Sequence, residues 1–542
     1  MIGLGWAREA YKEWRKVLRV AKAAAQVKAV SSKVSRGDAL AGHVVVFNAV
    51  RPFKIILDRE AFMGKLCALS GADVHVLLDD GVMVHWDTVQ ADPKRGWSPS
   101  ASAGLNLWRW TDLRYAPVRL ARRAMERLEK GAYADPHLRY HAYSELLRGV
   151  RRLDTRGLEK FARESTVRFF RNSELDLSKS PYVEYYRLSL QNAATSRAVG
   201  LAVLHQLHPT WFVTSHGIYS TWGPAFEFLR EAGVKCLVYA GQHSHALDRR
   251  AIYVTDTSVQ TLSRSKYWKA FRDRPVTPQM ERAVDVFFSR RFGHSTKDTS
   301  VYFQDTKPLT VDPSPKFKYH VAVFPNSIWD GNVEDRHVAF PGIMDWLEET
   351  VRFFASRPHV KLYLRFHPAE VTFFKDSTRV GDILRERLPG LDSMENVRLI
   401  EPEERVDTYQ FLKSGVDLGV LYDGVLGLEL PYMGIPALLA GGGGRFSVEG
   451  GNFTVRSRQE YFAYLEDLEG TIRRFKENYA TFRENVIRYT YWYVFHNPFP
   501  LPTLAGSSTD KYATDPSRLR PEDLEVPARL LSVLTWDEQS PI

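Results

Sequence analysis

Cysteine is nearly missing from this chain: Cys67 and Cys236 are the only two among 542 residues. They stand far apart, each inside an apolar run. That excludes a disulfide framework and a cysteine metal motif, and both read as small core residues of a protein in a reducing compartment. Long hydrophobic runs are missing too. No segment approaches the ~20 apolar residues of a membrane span. The first residues lack an apolar stretch followed by a small-residue cleavage site, so the expected location is the cytoplasm. There is no low-complexity tract and no short-period repeat. With 44% apolar and 13% aromatic residues, the chain can fill large cores, and disorder is not the default. Acidic residues fall short of basic ones, 64 against 74, for a formal charge of +10. That balance suits nucleotides, anionic lipid, nucleic acid or acidic glycans without choosing among them. Nucleic acid is disfavoured, because no basic stripe interleaved with aromatics occurs outside the N-terminal segment.

What is present begins with that segment. On a helix, Ile2, Trp6, Trp14, Val17 and Leu18 share one side, while Arg8, Lys12, Arg15, Lys16, Arg19 and Lys22 share the other. This pattern fits an interfacial helix that holds residues 1–25 on the anionic inner face of a membrane. It fits equally a helix docked on the body of the protein. We take 1–40 as this N-terminal element.

Strand and helix patterns then alternate in two blocks. The first, 41–315, carries apolar runs at 42–50, 72–81, 211–217, 234–242 and 251–258, interrupted by a stretch at 95–207 with helical spacing of Arg, Leu and Tyr. Residues 260–318 hold five scattered prolines, at 275, 278, 308, 313 and 315, and read as a connector. The second block, 316–470, has apolar runs at 319–327, 361–370, 396–402, 417–423 and 436–442 with helices between. A long charged helix is expected over about 461–486, and 471–542 forms the closing helix and tail. This is α/β alternation: two Rossmann-like, doubly wound parallel sheets. Ligands of such sheets bind beyond the carboxyl ends of the strands, so two facing sheets would enclose a cleft.

The chemistry-bearing residues do follow the strands. Asn326 and Ser327 follow the first strand of the second block. The segment RFHPAE puts Arg365 and His367 on one side of the second, and Glu370 could orient either. Arginine offers a planar fork for phosphate, and histidine adds a donor. After the fourth strand, Gly424 and Gly427 would let backbone amides approach a ligand, and Glu429 on the following helix could accept both hydroxyls of a ribose. Gly441 and Gly442 open a run of four glycines after the fifth strand. In the first block, strand ends carry His216 in TSHG and His243 in GQHSH, both with a side chain suited to general-base work.

The ordered set FPNSIWDG, RFHPAE, VLYDGVLGLELPYMGIPALLAG, GGNFT and EY, over roughly 319–495, resembles bacterial capsule and surface-polysaccharide biosynthesis proteins, the Kdo-type capsule transferases among them. The resemblance implies a GT-B fold, with an acceptor-side sheet, a donor-side sheet and a C-terminal helix that crosses back to the first domain. It implies a glycosyltransferase that moves sugar from a nucleotide-sugar donor to a surface, capsule or lipid-linked glycan, with no obligatory metal and no cofactor. Glu429 would bind the donor ribose, Arg365 and His367 its phosphate, Asn326 and Ser327 would line the cleft, and Gly441 and Gly442 would lie near the nucleotide. His216 or His243 would be the catalytic base. A nucleotide-sugar epimerase, a polyol-phosphate transferase or a non-catalytic glycan-binding protein could share this architecture. One departure stands out. Where the family shows hydroxyl residues after VLY, this chain has Asp423, Gly424 and Val425. A carboxylate there is expected to face away, to hold a cation, or to accompany a donor of lower charge, such as a nucleoside monophosphate sugar.

Overall fold

The computed structural model describes residues 34–50, 54–84, 133–150, 152–244, 249–295, 306–331, 334–372, 377–500 and 521–535, with isolated positions among 28–32 and 126–131. Residues 1–25, the basic amphipathic segment, lie outside the described residues, as does much of 85–132. Among the described residues thirteen strands occur in the order β1 (Val44–Val50), β2 (Asp73–Leu78), β3 (Leu138–Ala142), β4 (Trp211–Ser215), β5 (Lys235–Ser244), β6 (Arg249–Thr255), β7 (Tyr319–Phe324), β8 (Val360–Arg365), β9 (Val397–Ile400), β10 (Leu418–Leu421), β11 (Ala437–Leu439), β12 (Phe453–Thr454) and β13 (Phe499–Pro500). Among the described residues no helix is long and apolar enough to cross a membrane.

The chain divides into two compact units. One comprises Met1–Thr166, Asp176–Val259 and Val494–Ile542, the other Val167–Leu175 and Gln260–Tyr493. The stretch read as a connector therefore belongs to the second unit. The reason is packing: its helix Pro278–Phe292 sets Phe288 against Tyr432, ring centroids 4.2 Å apart, and pairs Arg291 with Glu429.

The first unit is built on a seven-stranded sheet in the order β13-β6-β5-β4-β1-β2-β3. Its centre is parallel; β6 and β13 extend it antiparallel. β1 and β4 are buried almost throughout, as strands covered on both faces must be. Cys67 and Cys236 are both free and buried, as their apolar surroundings suggest. β3 lies inside the stretch read as helical. Its alternation, Leu138, Tyr140 and Ala142 inward with Arg139 outward, is a strand signal hidden by charged neighbours.

The second unit's sheet runs β12-β11-β10-β7-β8-β9, all parallel. In order of appearance this is 3-2-1-4-5-6, the doubly wound order. Successive residues feed opposite faces, as the two-residue period requires. Val321, Val323, Leu362 and Leu364 join one core with the helix Ile343–Ala355; Ala322, Phe324 and Tyr363 join the other with Phe411 and Leu412. The long helix expected at 461–486 is three helices, Arg458–Glu466, Leu468–Glu477 and Tyr479–Tyr491. Asp467 and Asn478 leave helical geometry between them, and the Asp467 carboxylate caps the second by accepting from Gly470 N. After Tyr493 the chain rejoins the first unit. There the Asn497 amide clips both backbone groups of Val254 at 2.9 Å, which sets β13 against β6.

Candidate functional site

β7 and β10 are neighbours from which the chain proceeds to opposite edges of the sheet, so the loops at their carboxyl ends part at a topological switch point. The loop after β7 is anchored by Ile328 and Trp329, 1% and 2% exposed; Asn326 and Ser327 remain half-buried at its base. Asn326 Oδ1 accepts the backbone N–H of Asp423 at 3.1 Å, which ties this loop to the one after β10.

Asp423 is 4% exposed, and its partners come from the protein itself. Oδ1 accepts from the backbone amides of Gly424 at 2.9 Å and Phe446 at 3.1 Å. Oδ2 accepts from Arg445 N at 3.1 Å and faces Arg336 Nη2 at 3.3 Å. A Cβ on Gly444 would stand 2.5 Å from Oδ2, so that residue must be glycine for the loop to wrap the carboxylate. Further down the loop, Ser263 Oγ donates to Gly444 O at 2.6 Å and Arg264 Nη2 to Gly442 O at 2.8 Å. Gly441 and Gly442 are buried, and side chains there would meet Tyr422 O and Val455 O at 2.5 and 2.7 Å. The glycine run thus admits the protein's own backbone. Gly427 is likewise buried, its carbonyl accepting from Asn452 Nδ2 at 2.9 Å, while Gly424 is half-buried with φ +138°.

At the end of β8, Arg365 contrasts with Asp423. Its Nη2 reaches Val406 O at 3.4 Å, its Nε is sealed from solvent without a hydrogen-bond partner among the described residues, and it forms no ion pair with any described carboxylate. Burial holds its pKa down to about 10, with Tyr409 and Asp407 opposing, so it is a cation at neutral pH. Such a group is costly until an anion meets it. Two residues on, His367 Nδ1 accepts from Ala369 N at 3.1 Å, which puts the ring proton on Nε2. Burial, then the Arg365 charge, lower its pKa to about 4. Arg365 and His367 therefore form a donor pair, one charged and one neutral. Glu370 turns elsewhere. Its Oε2 accepts from Val380 N at 3.3 Å and caps a helix, Val380–Arg387, that lacks a side-chain cap of its own.

The first unit has its own switch point, between β1 and β4, and His216 stands immediately after β4. Its backbone is left-handed at φ +60°, followed by Gly217 at +66° and Tyr219 at +63°. Strain of this kind in non-glycine residues is concentrated at functional sites. His216 Nδ1 lies 2.5 Å from Ser215 Oγ, and the ring stacks on Trp222 at 5.0 Å. His243 lies in β5 in register with Arg250, and its side chain is outside the described residues.

No protein-family model matches the chain, and no curated protein matches its sequence. Solved structures do. A Thermosulfurimonas dismutans KpsC, a beta Kdo 2,4 transferase, is 14% identical with a TM-score of 0.31, over 46% of this chain and 78% of that one. The UDP-GlcNAc 2-epimerase of Neisseria meningitidis, solved with UDP-GlcNAc, is 11% identical with a TM-score of 0.22, over 82% and 97%. The N-terminal domain of Candida albicans trehalose-6-phosphate phosphatase is 11% identical with a TM-score of 0.29, over 84% and 96%.

Glu429, offered by the sequence as a ribose acceptor, is 1% exposed. Its Oε1 accepts from Arg291 Nε at 2.6 Å and from the Tyr409 hydroxyl at 3.1 Å. Burial, then the Glu429 charge, push the Tyr409 hydroxyl far above its ordinary pKa, so it stays a donor. Arg291 and Arg336 were not legible as partners, because each lies more than 80 residues from the carboxylate it meets in an unremarkable stretch of sequence. Ser215 was legible, being the residue before His216. Among the described residues no group of three or more His, Cys, Asp or Glu could hold a metal ion.

Proposed function

We propose that this chain is a glycosyltransferase that moves a sugar from a nucleotide-sugar donor to a surface, capsule or lipid-linked glycan. The single observation that carries the reading is Arg365: a half-buried guanidinium with its Nε sealed from solvent and no ion pair among the described residues, at the carboxyl end of β8 in a sheet of dinucleotide-binding order, beside an imidazole whose proton sits on Nε2. A leaving phosphate supplies the missing charge, and charge-assisted donors aimed at it stabilise the group as the glycosidic bond breaks. The ordered motifs over 319–495 support the same reading.

In an inverting transfer, the acceptor hydroxyl oxygen attacks the anomeric carbon while the bond to phosphate breaks, and its electron pair leaves with the phosphate. A base takes the hydroxyl proton. His216 is our candidate: with Nδ1–H donated to Ser215 Oγ, Nε2 carries the lone pair the step needs. A nucleotide-sugar epimerase would use the same donor half but needs no acceptor, so product formation with and without glycan separates the two.

The test is nucleotide binding by isothermal titration calorimetry across UDP, GDP, CDP and CMP species. At least one should bind, and Arg365→Gln should weaken it by about tenfold or more, the worth of a charge-assisted hydrogen bond. Equal affinity in the variant removes Arg365 from the site.

A further inference from the structure

The donors around Asp423 are those a protein uses to capture a phosphate oxygen. Three backbone amides, of Gly424, Arg445 and Phe446, converge on two oxygens at 2.9–3.1 Å, and one guanidinium, Arg336, faces them at 3.3 Å. Amides converging from a glycine-rich turn make an anion-binding concavity, and arginine completes it. Here the anion is the protein's own side chain. Arg336 is 3% exposed, and its Nε has no partner among the described residues, so the guanidinium keeps capacity that Asp423 does not use. With Asp423 itself 4% exposed, no ligand oxygen reaches these amides without displacing the carboxylate.

We infer that Asp423 is an internal counter-anion which fills a phosphate-type site after β10, and that it determines specificity by excluding a second ligand phosphate there. This rests on the reading of Arg365 as the phosphate anchor. The two cations differ in a simple way: Arg365, after β8, pairs with no carboxylate among the described residues, whereas Arg336, after β7, pairs with Asp423. A ligand with one phosphate at Arg365 is accommodated, whereas a diphosphate aimed at the loop after β10 meets a fixed negative charge. The same arrangement explains why an acidic residue stands where a hydroxyl would leave the amides open.

The experiment uses the full chain with inorganic phosphate and pyrophosphate at fixed ionic strength, and reads half-saturation from the shift in melting temperature. Asp423→Gly and Asp423→Ser should each bind pyrophosphate about tenfold more tightly than the unaltered protein, equivalent to one charge-assisted hydrogen bond. Adding Arg336→Gln should remove that gain. Equal half-saturation in the unaltered protein and a folded variant overturns the inference. So does failure of both variants to fold even with saturating pyrophosphate, because an external anion should replace the carboxylate. Arg365→Gln separates this from the donor-site reading. A gain at Asp423 variants alongside phosphate binding insensitive to Arg365 sinks the anchor and leaves the counter-anion standing. Phosphate binding lost in Arg365→Gln with no gain at Asp423 variants does the reverse.

Discussion

Glu429 is a buried ion of the second unit and Arg365 a half-buried one, and among the described residues only Glu429 has a paired counter-charge. Their variants should therefore move stability in different directions. Glu429→Ala takes the carboxylate away from the buried Arg291 guanidinium and the Tyr409 hydroxyl together, and should cost about 3–5 kcal/mol in urea denaturation. Nucleotide affinity of the folded variant then reads any contact with ribose separately from that loss. Arg365→Gln removes a desolvated charge that Tyr409 and Asp407 offset only in part, so the ligand-free variant should melt no lower than the unaltered protein even as it loses the anion. Glu370 adds a pH signature. Burial raises its pKa from the ordinary 4.5 to about 7. A raised carboxyl contributes stability that is complete below its unfolded value and lost as pH rises through the folded one. Glu370→Gln should abolish that loss, so its stability advantage should grow between about pH 5 and 8. His367 has the opposite sign: lowered from 6.5 to about 4, it favours the fold above the unfolded value and loses that contribution as pH falls through the lower one. A flat difference between Glu370→Gln and the unaltered protein across the upper window would reject the assignment to Glu370.

Among elements, the loop 441–446 is where sequence and structure diverge most in meaning. Its glycines were legible as close backbone approach. What approaches was not, because the closing carboxylate lies 21 residues upstream of Gly444 and its arginine far earlier. Gly444→Ala would place a methyl 2.5 Å from Asp423 Oδ2 and force the loop off its two amide contacts, from Arg445 and Phe446. We expect a cost of about 1–3 kcal/mol from overpacking, checked by thermal melting, with a larger loss in Gly444→Val. Five of the second unit's six strands, β7 to β11, were readable because buried parallel strands are continuous apolar runs. β13 was not, since two residues with a proline carry no period and their position is fixed by Asn497 reaching Val254. The 461–486 helix was over-read for a related reason. Charged residues at helical spacing continue across Asp467 and Asn478, and only their backbone angles, ψ 56° and 18°, reveal the breaks.

For the whole molecule, the chain leaves the first unit twice, at Val167–Leu175 and at Gln260–Tyr493, and returns to it each time. The N-terminal end carries the basic amphipathic pattern. At helical spacing its sequence sets six basic residues from Arg8 to Lys22 against two tryptophans, with Glu9 and Glu13 as the acidic offsets. If that face meets lipid, each basic side chain near an anionic surface contributes about 1 kcal/mol, and the attraction falls off within a Debye length of roughly 8–10 Å. The full chain should then float with vesicles containing phosphatidylserine at low salt, remain in the pellet fraction with purely zwitterionic vesicles, and lose flotation as salt is raised. Removal of residues 1–25 should abolish flotation while leaving nucleotide binding intact. A docking helix gives the opposite pair of results: unchanged flotation, and a lowered melting temperature from the apolar face it no longer covers. The two measurements together assign the segment to membrane or to protein, and membrane placement would bring the chain to the bilayer, where a lipid-linked acceptor of the proposed transfer would reside.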